Sequence, residues 1–222
     1  MQKLRSTGLL AAGLSLSLGS IAPAHSGLMF LAIMTHDQEV ASPPIPNEGS
    51  SGIARFFLND AMTRLTYDVQ LTGLDLGRVD PATGNPNLAP PAGDPNDDVT
   101  RLHIHRAPTG VNGGIVFGMI DASAGLRNDN NPNDLLIDVA GLHITGAWDL
   151  PEGNAGLVPP ANLGTELSNL LNGGLYINIH TADHAGGEIR GQILLIPEPG
   201  SAALLSAGLL GLMVPALRRL KK

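Results

Sequence analysis

Between residues 28 and 195, apolar side chains either alternate with polar ones or run in short blocks, and clusters of Gly, Pro, Asn and Asp separate the blocks. A period of two puts alternate side chains on one face of an extended chain, so this rhythm predicts strands joined by turns. The predicted strands are Leu28–Met34, Gly52–Leu58, Arg64–Leu71, Val99–His105, Val116–Ile120, Leu135–Val139, Leu142–Trp148, Gly174–His180 and Glu188–Leu195. One segment, Asn162–Leu171, places Leu163, Leu167, Leu170 and Leu171 at helical spacing and predicts a short helix. Strands at this spacing predict an all-β antiparallel sandwich or barrel. Two stretches interrupt the rhythm. Arg78–Asp98 is rich in Pro, Asn and Asp and reads as a long loop. Arg127–Asp134 gathers Asn and Asp around Pro132; turn chemistry or a calcium ion would each account for it, although the residue order of an EF-hand loop is missing.

The two ends follow a different pattern. In residues 1–24, Lys3 and Arg5 precede an apolar run from Leu9 to Leu18, and Ala22-Pro23-Ala24 supplies small residues for cleavage. That order predicts a secretory signal peptide, because the apolar run is too short to span a bilayer as a lasting anchor. The body then covers residues 25–196. Residues 197–222 form a tail of three parts: Pro197-Glu198-Pro199, the apolar stretch Ser201 to Leu217, and the basic cluster Arg218-Arg219-Leu220-Lys221-Lys222. The apolar stretch is near the lower length limit for a transmembrane helix, and the cluster would stay cytoplasmic by the positive-inside rule. The alternative is a plain C-terminal anchor.

Charge sharpens this division. Of thirteen basic residues, six lie in the two ends; the other seven are all arginines, so the body has no lysine. All twenty acidic residues fall between Asp37 and Glu198; nineteen of them lie in the body and leave it at a net −12. Such a surface repels phosphate backbones, so a nucleic-acid partner is not expected. With no Cys, thiolate catalysis, Cys-based zinc sites and iron–sulfur clusters are excluded. The body has about 170 residues, enough to bury a core without disulfides. No nucleophile elbow, phosphate loop or dinucleotide fingerprint is present.

Candidate chemistry concentrates on two strands. In Arg101-Leu102-His103-Ile104-His105, Leu102 and Ile104 face one side while Arg101, His103 and His105 face the other. In Leu175-Tyr176-Ile177-Asn178-Ile179-His180 the leucine and isoleucines point into the core, and Tyr176, Asn178 and His180 point outward. If the strands are neighbours, His103, His105 and His180 converge on an outer sheet face and offer a copper or zinc site, since a His-x-His pair on a rigid strand presents two imidazoles together. Ordinary hydrogen bonding on a half-exposed sheet is the competing reading. His143, in Leu142-His143-Ile144, also points away from its apolar neighbours and is a candidate fourth ligand; His36 and His184 read as solvated. Glu188 and Arg190 share a strand face and are expected to pair at the surface.

Two resemblances add to these readings. Residues 196–222 resemble the PEP-CTERM sorting signal, which implies a Gram-negative, usually exopolysaccharide-producing bacterium, signal peptidase and an exosortase-type protease as partners, and a transient membrane anchor before release to the cell surface. The body resembles the CHRD domain. The matching pieces include Gln38-Glu39-Val40, Gly52-Ile53-Ala54, Leu65-Thr66-Tyr67-Asp68-Val69, His103-Ile104-His105 and Gly110-Val111-Asn112-Gly113, followed by 174–181 and Gly186-Gly187-Glu188-Ile189-Arg190-Gly191-Gln192. The chain departs from the pattern by two residues inserted between Val40 and Pro43, by the long Arg78–Asp98 loop, and at His184-Ala185. The resemblance implies an immunoglobulin-like β-sandwich in an exported protein. The histidine layout is also similar to the copper side of copper/zinc superoxide dismutase, but no zinc-ligand set accompanies it. The expectation is therefore a non-enzymatic binding or structural module at the surface or in the matrix, with a copper- or zinc-binding redox protein as the alternative. Polysaccharide binding would need exposed aromatic platforms, and aromatics make up only 3% of the chain.

Overall fold

The computed structural model describes residues 27–197, apart from 42–43, 47–48, 87–88, 90–91, 94, 96, 124–125, 127–128 and 130–133. The signal segment, Glu198, Pro199, the apolar tail and most of the 127–134 loop lie outside the described residues. Pro197, just after the last strand, is exposed. Among the described residues no helix is long and apolar enough to cross a membrane.

Among the described residues, ten strands and one α-helix form, at the positions the periodicity marks: β1 (Leu28–Thr35), β2 (Ser51–Leu58), β3 (Arg64–Thr72), β4 (Val99–Arg106), β5 (Gly114–Ile120), β6 (Leu136–Asp138), β7 (His143–Asp149), α1 (Leu163–Leu171), β8 (Leu175–Thr181), β9 (Ile189–Gln192) and β10 (Leu194–Ile196). All named pairings are antiparallel, in the order β5-β4-β8-β9-β1-β2-β3-β7-β6, with β10 also on β1. Only Thr35 and Arg190 pair between β1 and β9, so the sheet curls there into two halves. Their inner faces meet across one core, where Phe117 of β5 stacks on Trp148 of β7 (ring centroids 4.9 Å apart) and meets Tyr67 of β3 edge-on. The all-β antiparallel reading holds, in the form of a curled half-barrel.

One predicted strand divides. The segment Glu188–Leu195 becomes β9, which pairs with β8, and β10, which pairs with β1. At the break, Ile193 is buried and its N–H donates to the Leu175 carbonyl (2.9 Å). The chain thus crosses from one half of the sheet to the other, a device that local periodicity does not mark because it depends on partners far apart in sequence.

The helix starts where Asn162 caps it. Its side chain accepts from the Thr165 N–H, and the Thr165 hydroxyl accepts from the Asn162 N–H, both at 2.9 Å, which satisfies orphan donors at the helix start. Leu163 and Leu170 are buried as predicted. Glu166 is also fully buried, because Arg106 at the end of β4 grips its carboxylate. The predicted Arg78–Asp98 loop is partly structural: Val79 is buried in the core, and Asp75 and Asp98 form an isolated bridge. In the Asn/Asp-rich loop, Asp129 takes the Tyr67 hydroxyl and Asp134 pairs with Arg64 (2.8 Å), so these two carboxylates serve the fold.

Candidate metal centre

The pairing of β4 with β8 aligns Arg101 with His180, His103 with Asn178, and His105 with Tyr176. Partners across an antiparallel ladder share a face, so all six side chains lie opposite Leu102, Ile104, Ile177 and Ile179, which enter the core. Register shifts in the β4–β5 pairing, between Leu102 and His103 and between Ile104 and His105, bracket the histidine strand. Such irregularities re-aim side chains locally.

The three rings come together. Their centroids lie 5.7 Å (His103–His105), 5.5 Å (His103–His180) and 6.1 Å (His105–His180) apart. One potential ligand atom from each residue lies within 4.8 Å of the other two. The expectation of an outer, half-exposed face does not hold: His103 is fully buried, and His105 and His180 are 7% and 8% exposed. Tyr176 and Asn178 are buried as well. Three loops roof this face: the β4–β5 connection with Gly113, the chain after β5 with Asp121, and the β8–β9 turn with Ala185.

Each roof segment engages one nitrogen of one ring. His103 Nε2 lies 2.8 Å from Asp121 Oδ2, His105 Nδ1 lies 3.0 Å from the Gly113 carbonyl, and His180 Nδ1 lies 3.0 Å from the Ala185 carbonyl. A carbonyl or an ionised carboxylate only accepts, so in each neutral ring the engaged nitrogen carries the proton. The other nitrogens, His103 Nδ1, His105 Nε2 and His180 Nε2, are buried without a hydrogen-bond partner. Three lone pairs are therefore enclosed with no donor to satisfy them. Buried polar atoms are nearly always partnered, and a cluster of acceptors is the arrangement a cation completes.

Electrostatics keep these rings available. Burial lowers the pKa of His105 to about 3, against the Gly113 hydrogen bond that raises it. Burial also lowers that of His180 to about 4, helped by the His103 ring and opposed by the Ala185 hydrogen bond. Both remain neutral at physiological pH, so protons do not compete for the ligand atoms. At Asp121 burial favours the neutral acid, but the bonds from His103 and the Ser123 N–H, with the Arg101 charge, hold its pKa below the usual carboxylate value.

Two glycines allow the roof to close. A Cβ on Gly113 would collide with the Arg106 carbonyl, and Gly187 (φ +124°) sits where a Cβ would meet Asn178 Nδ2 at 2.8 Å and Glu39 Oε1 at 2.9 Å. Behind the rings, Tyr176 stacks on His105 (4.8 Å, 8°), and the buried Arg190 guanidinium lies 3.3 Å from the Tyr176 centroid. Arg190 does not pair with Glu188. It donates to Asn112 Oδ1 and to the Pro108 and Val111 carbonyls, pinning the β4–β5 connection, while Glu188 accepts from the Thr181 hydroxyl (2.6 Å).

His143 stays apart from the cluster. It lies on β7, toward the opposite end of the strand order, and its Nε2 pairs with Asp68 at 3.2 Å. His36 pairs with Asp37 (2.9 Å), and the His184 N–H donates to the Thr181 hydroxyl. The chain's single Trp, both Tyr, and Phe30, Phe56 and Phe117 are buried, and Phe57 is half-buried, so no exposed aromatic platform stands ready to stack on sugar. Sequence reasoning missed Asp121, the two carbonyls and the Arg190 stack. The only hint was an aspartate directly after the strand that ends at Ile120.

A family model described as the CHRD domain matches residues 30–193. No curated protein and no solved structure matches the chain.

Proposed function

The chain belongs to the CHRD-domain family, and on that premise we propose that it is an exported, non-enzymatic surface module holding one copper or zinc ion through His103, His105 and His180. The observation that carries this reading is the set of three enclosed imidazole lone pairs, each ring turned by a fixed acceptor on its far side. Imidazole nitrogen suits copper and zinc, and the Asp121 contact is the carboxylate–histidine support that orients such ligands. Near-complete enclosure favours retention of an ion over turnover of a diffusing substrate. Metal analysis of the purified chain tests the reading. Near-stoichiometric copper or zinc that disappears in a His103→Ala/His105→Ala variant supports it. A folded protein that takes up neither metal at neutral pH refutes it.

The address is part of the same proposal. Residues 1–24 direct export across the inner membrane, and Pro197, Glu198 and Pro199 begin a PEP-CTERM-type tail that an exosortase-type protease removes at the membrane. The acidic, lysine-free body is then left at the cell surface or in the matrix. Chains lacking residues 197–222 should be released directly, whereas the full chain should pass through a membrane-bound precursor. Equal release of both would remove the tail's role.

A further inference from the structure

The charges around the three rings restrict which ion they suit. All three ligands are imidazoles, which bring no charge when they bind an ion, and among the described residues no carboxylate or further histidine joins the ligand atoms. Among the described residues, the charged groups that interact with these rings or with the side chains packed on them are two of each sign. Asp121 contacts His103 and lies 3.5 Å from Arg101 Nε. Arg190 sits one ring behind His105, on Tyr176, and interacts electrostatically with Glu39. These pairs cancel, so the site brings no net negative charge to an incoming ion. The rings themselves are buried, and the penalty for taking an ion out of water rises with the square of its charge, roughly fourfold from +1 to +2. A divalent ion would thus meet a large desolvation penalty without an anionic ligand to offset it. Zinc also calls for a fourth ligand to complete a tetrahedron. A monovalent soft ion that accepts three nitrogen ligands meets neither difficulty.

We infer that the histidine site is selective for cuprous copper, Cu(I), over Zn(II) and Cu(II), the selectivity arising from enclosure by neutral ligands within a charge-balanced shell that includes Arg190 and Asp121. The inference rests on the metal-binding reading above and specifies its ligand. Arg190 and Asp121 act here as positioning and charge-setting residues and touch no ion. Their effects should have opposite sign. Arg190→Gln removes a positive charge and should favour divalent ions; Asp121→Asn removes a negative charge while retaining an acceptor for His103.

The experiment is an anaerobic titration of the full chain with Cu(I) against a chromophoric chelator, alongside Zn(II) and Cu(II) titrations. One Cu(I) per chain is expected, bound at least about a hundredfold more tightly than either divalent ion. Arg190→Gln should narrow the Cu(I)/Cu(II) affinity ratio, and Asp121→Asn should widen it, each on the order of tenfold. Should Arg190→Gln fail to fold, Asp121→Asn alone reads the sign. Zn(II) or Cu(II) bound as tightly as Cu(I) overturns the cuprous assignment and leaves metal binding standing. Uptake of none of the three overturns both. Variants that weaken every ion equally overturn the electrostatic origin.

Discussion

The tripeptide Leu-His-Ile occurs twice, as Leu102-His103-Ile104 in β4 and as Leu142-His143-Ile144 at the start of β7. In both, the isoleucine enters the core and the histidine points to the opposite side. Their fates differ. His103 is fully buried, holds Asp121, and lies beside two further rings. His143 keeps 36% of its side chain exposed and pairs with a half-exposed aspartate on β3. Local sequence is the same, so the difference arises from what lies over each strand. Both strands run between two others, but β4 lies beneath three loops, whereas β7 has the three-residue β6 on its outer side, at the end of the sheet. A histidine becomes a candidate ligand when tertiary packing removes its water and fixes its proton.

Metal loading should separate the two sites most strongly. If the three rings bind an ion, a thousandfold excess over Kd stabilises the fold by about 4 kcal/mol, a rise in Tm of roughly 10 °C for a chain of this size. Differential scanning calorimetry with copper or zinc should show this rise in the wild type and in His143→Ala, and lose it in His105→Ala. An equal rise in all three would place the ion elsewhere.

Acid should expose the buried rings next. Folded His105 and His180 stay neutral down to about 3 and about 4, whereas their unfolded forms take up protons below 6.5. The unfolded state therefore binds more protons in that window, and the metal-free fold loses stability as pH falls from 6.5 toward 4, by about 3 kcal/mol for each ring. Urea unfolding at successive pH values measures the slope. A flat profile that persists in His105→Gln would mean these rings are solvated.

Asp121→Asn should lower metal affinity by roughly 10- to 100-fold, the usual effect of losing a supporting carboxylate. Competition titration reads it, and an unchanged affinity would remove Asp121 from the site. At the other strand, Asp68→Asn should leave metal affinity unaltered.

The smallest effect belongs to the exposed pair. His143→Ala should change stability by about 0.5 kcal/mol or less, since half-exposed ion pairs contribute little. A loss above about 2 kcal/mol on urea unfolding would show that β7 carries more of the fold than its exposure suggests.

Legibility followed the range of the interactions. The strand β3, the helix from its leucine spacing, and the shared face of His103 and His105 were readable because backbone geometry writes each into neighbouring residues. The division of the last strand at Ile193 was not, because the switch between halves of the sheet depends on β1 and β8 together. The burial of Glu166 was not readable either, because it depends on Arg106, sixty positions away, closing on it. Arg190 looked like the partner of Glu188, yet it reaches back across the fold to the loop at 108–112.

By itself, then, the sequence determined the alternation that makes the strands, the core-facing Leu102 and Ile104, the acidic lysine-free body, and the fact that His103 and His105 share a side. Alternation is a property of the extended backbone and needs no distant partner. Only the tertiary structure decided that this side is roofed, that His180 joins it while His143 does not, and that one nitrogen on each ring is left without a donor. Those outcomes depend on which loops lie over which strand, and that is set by long-range packing that no local pattern encodes.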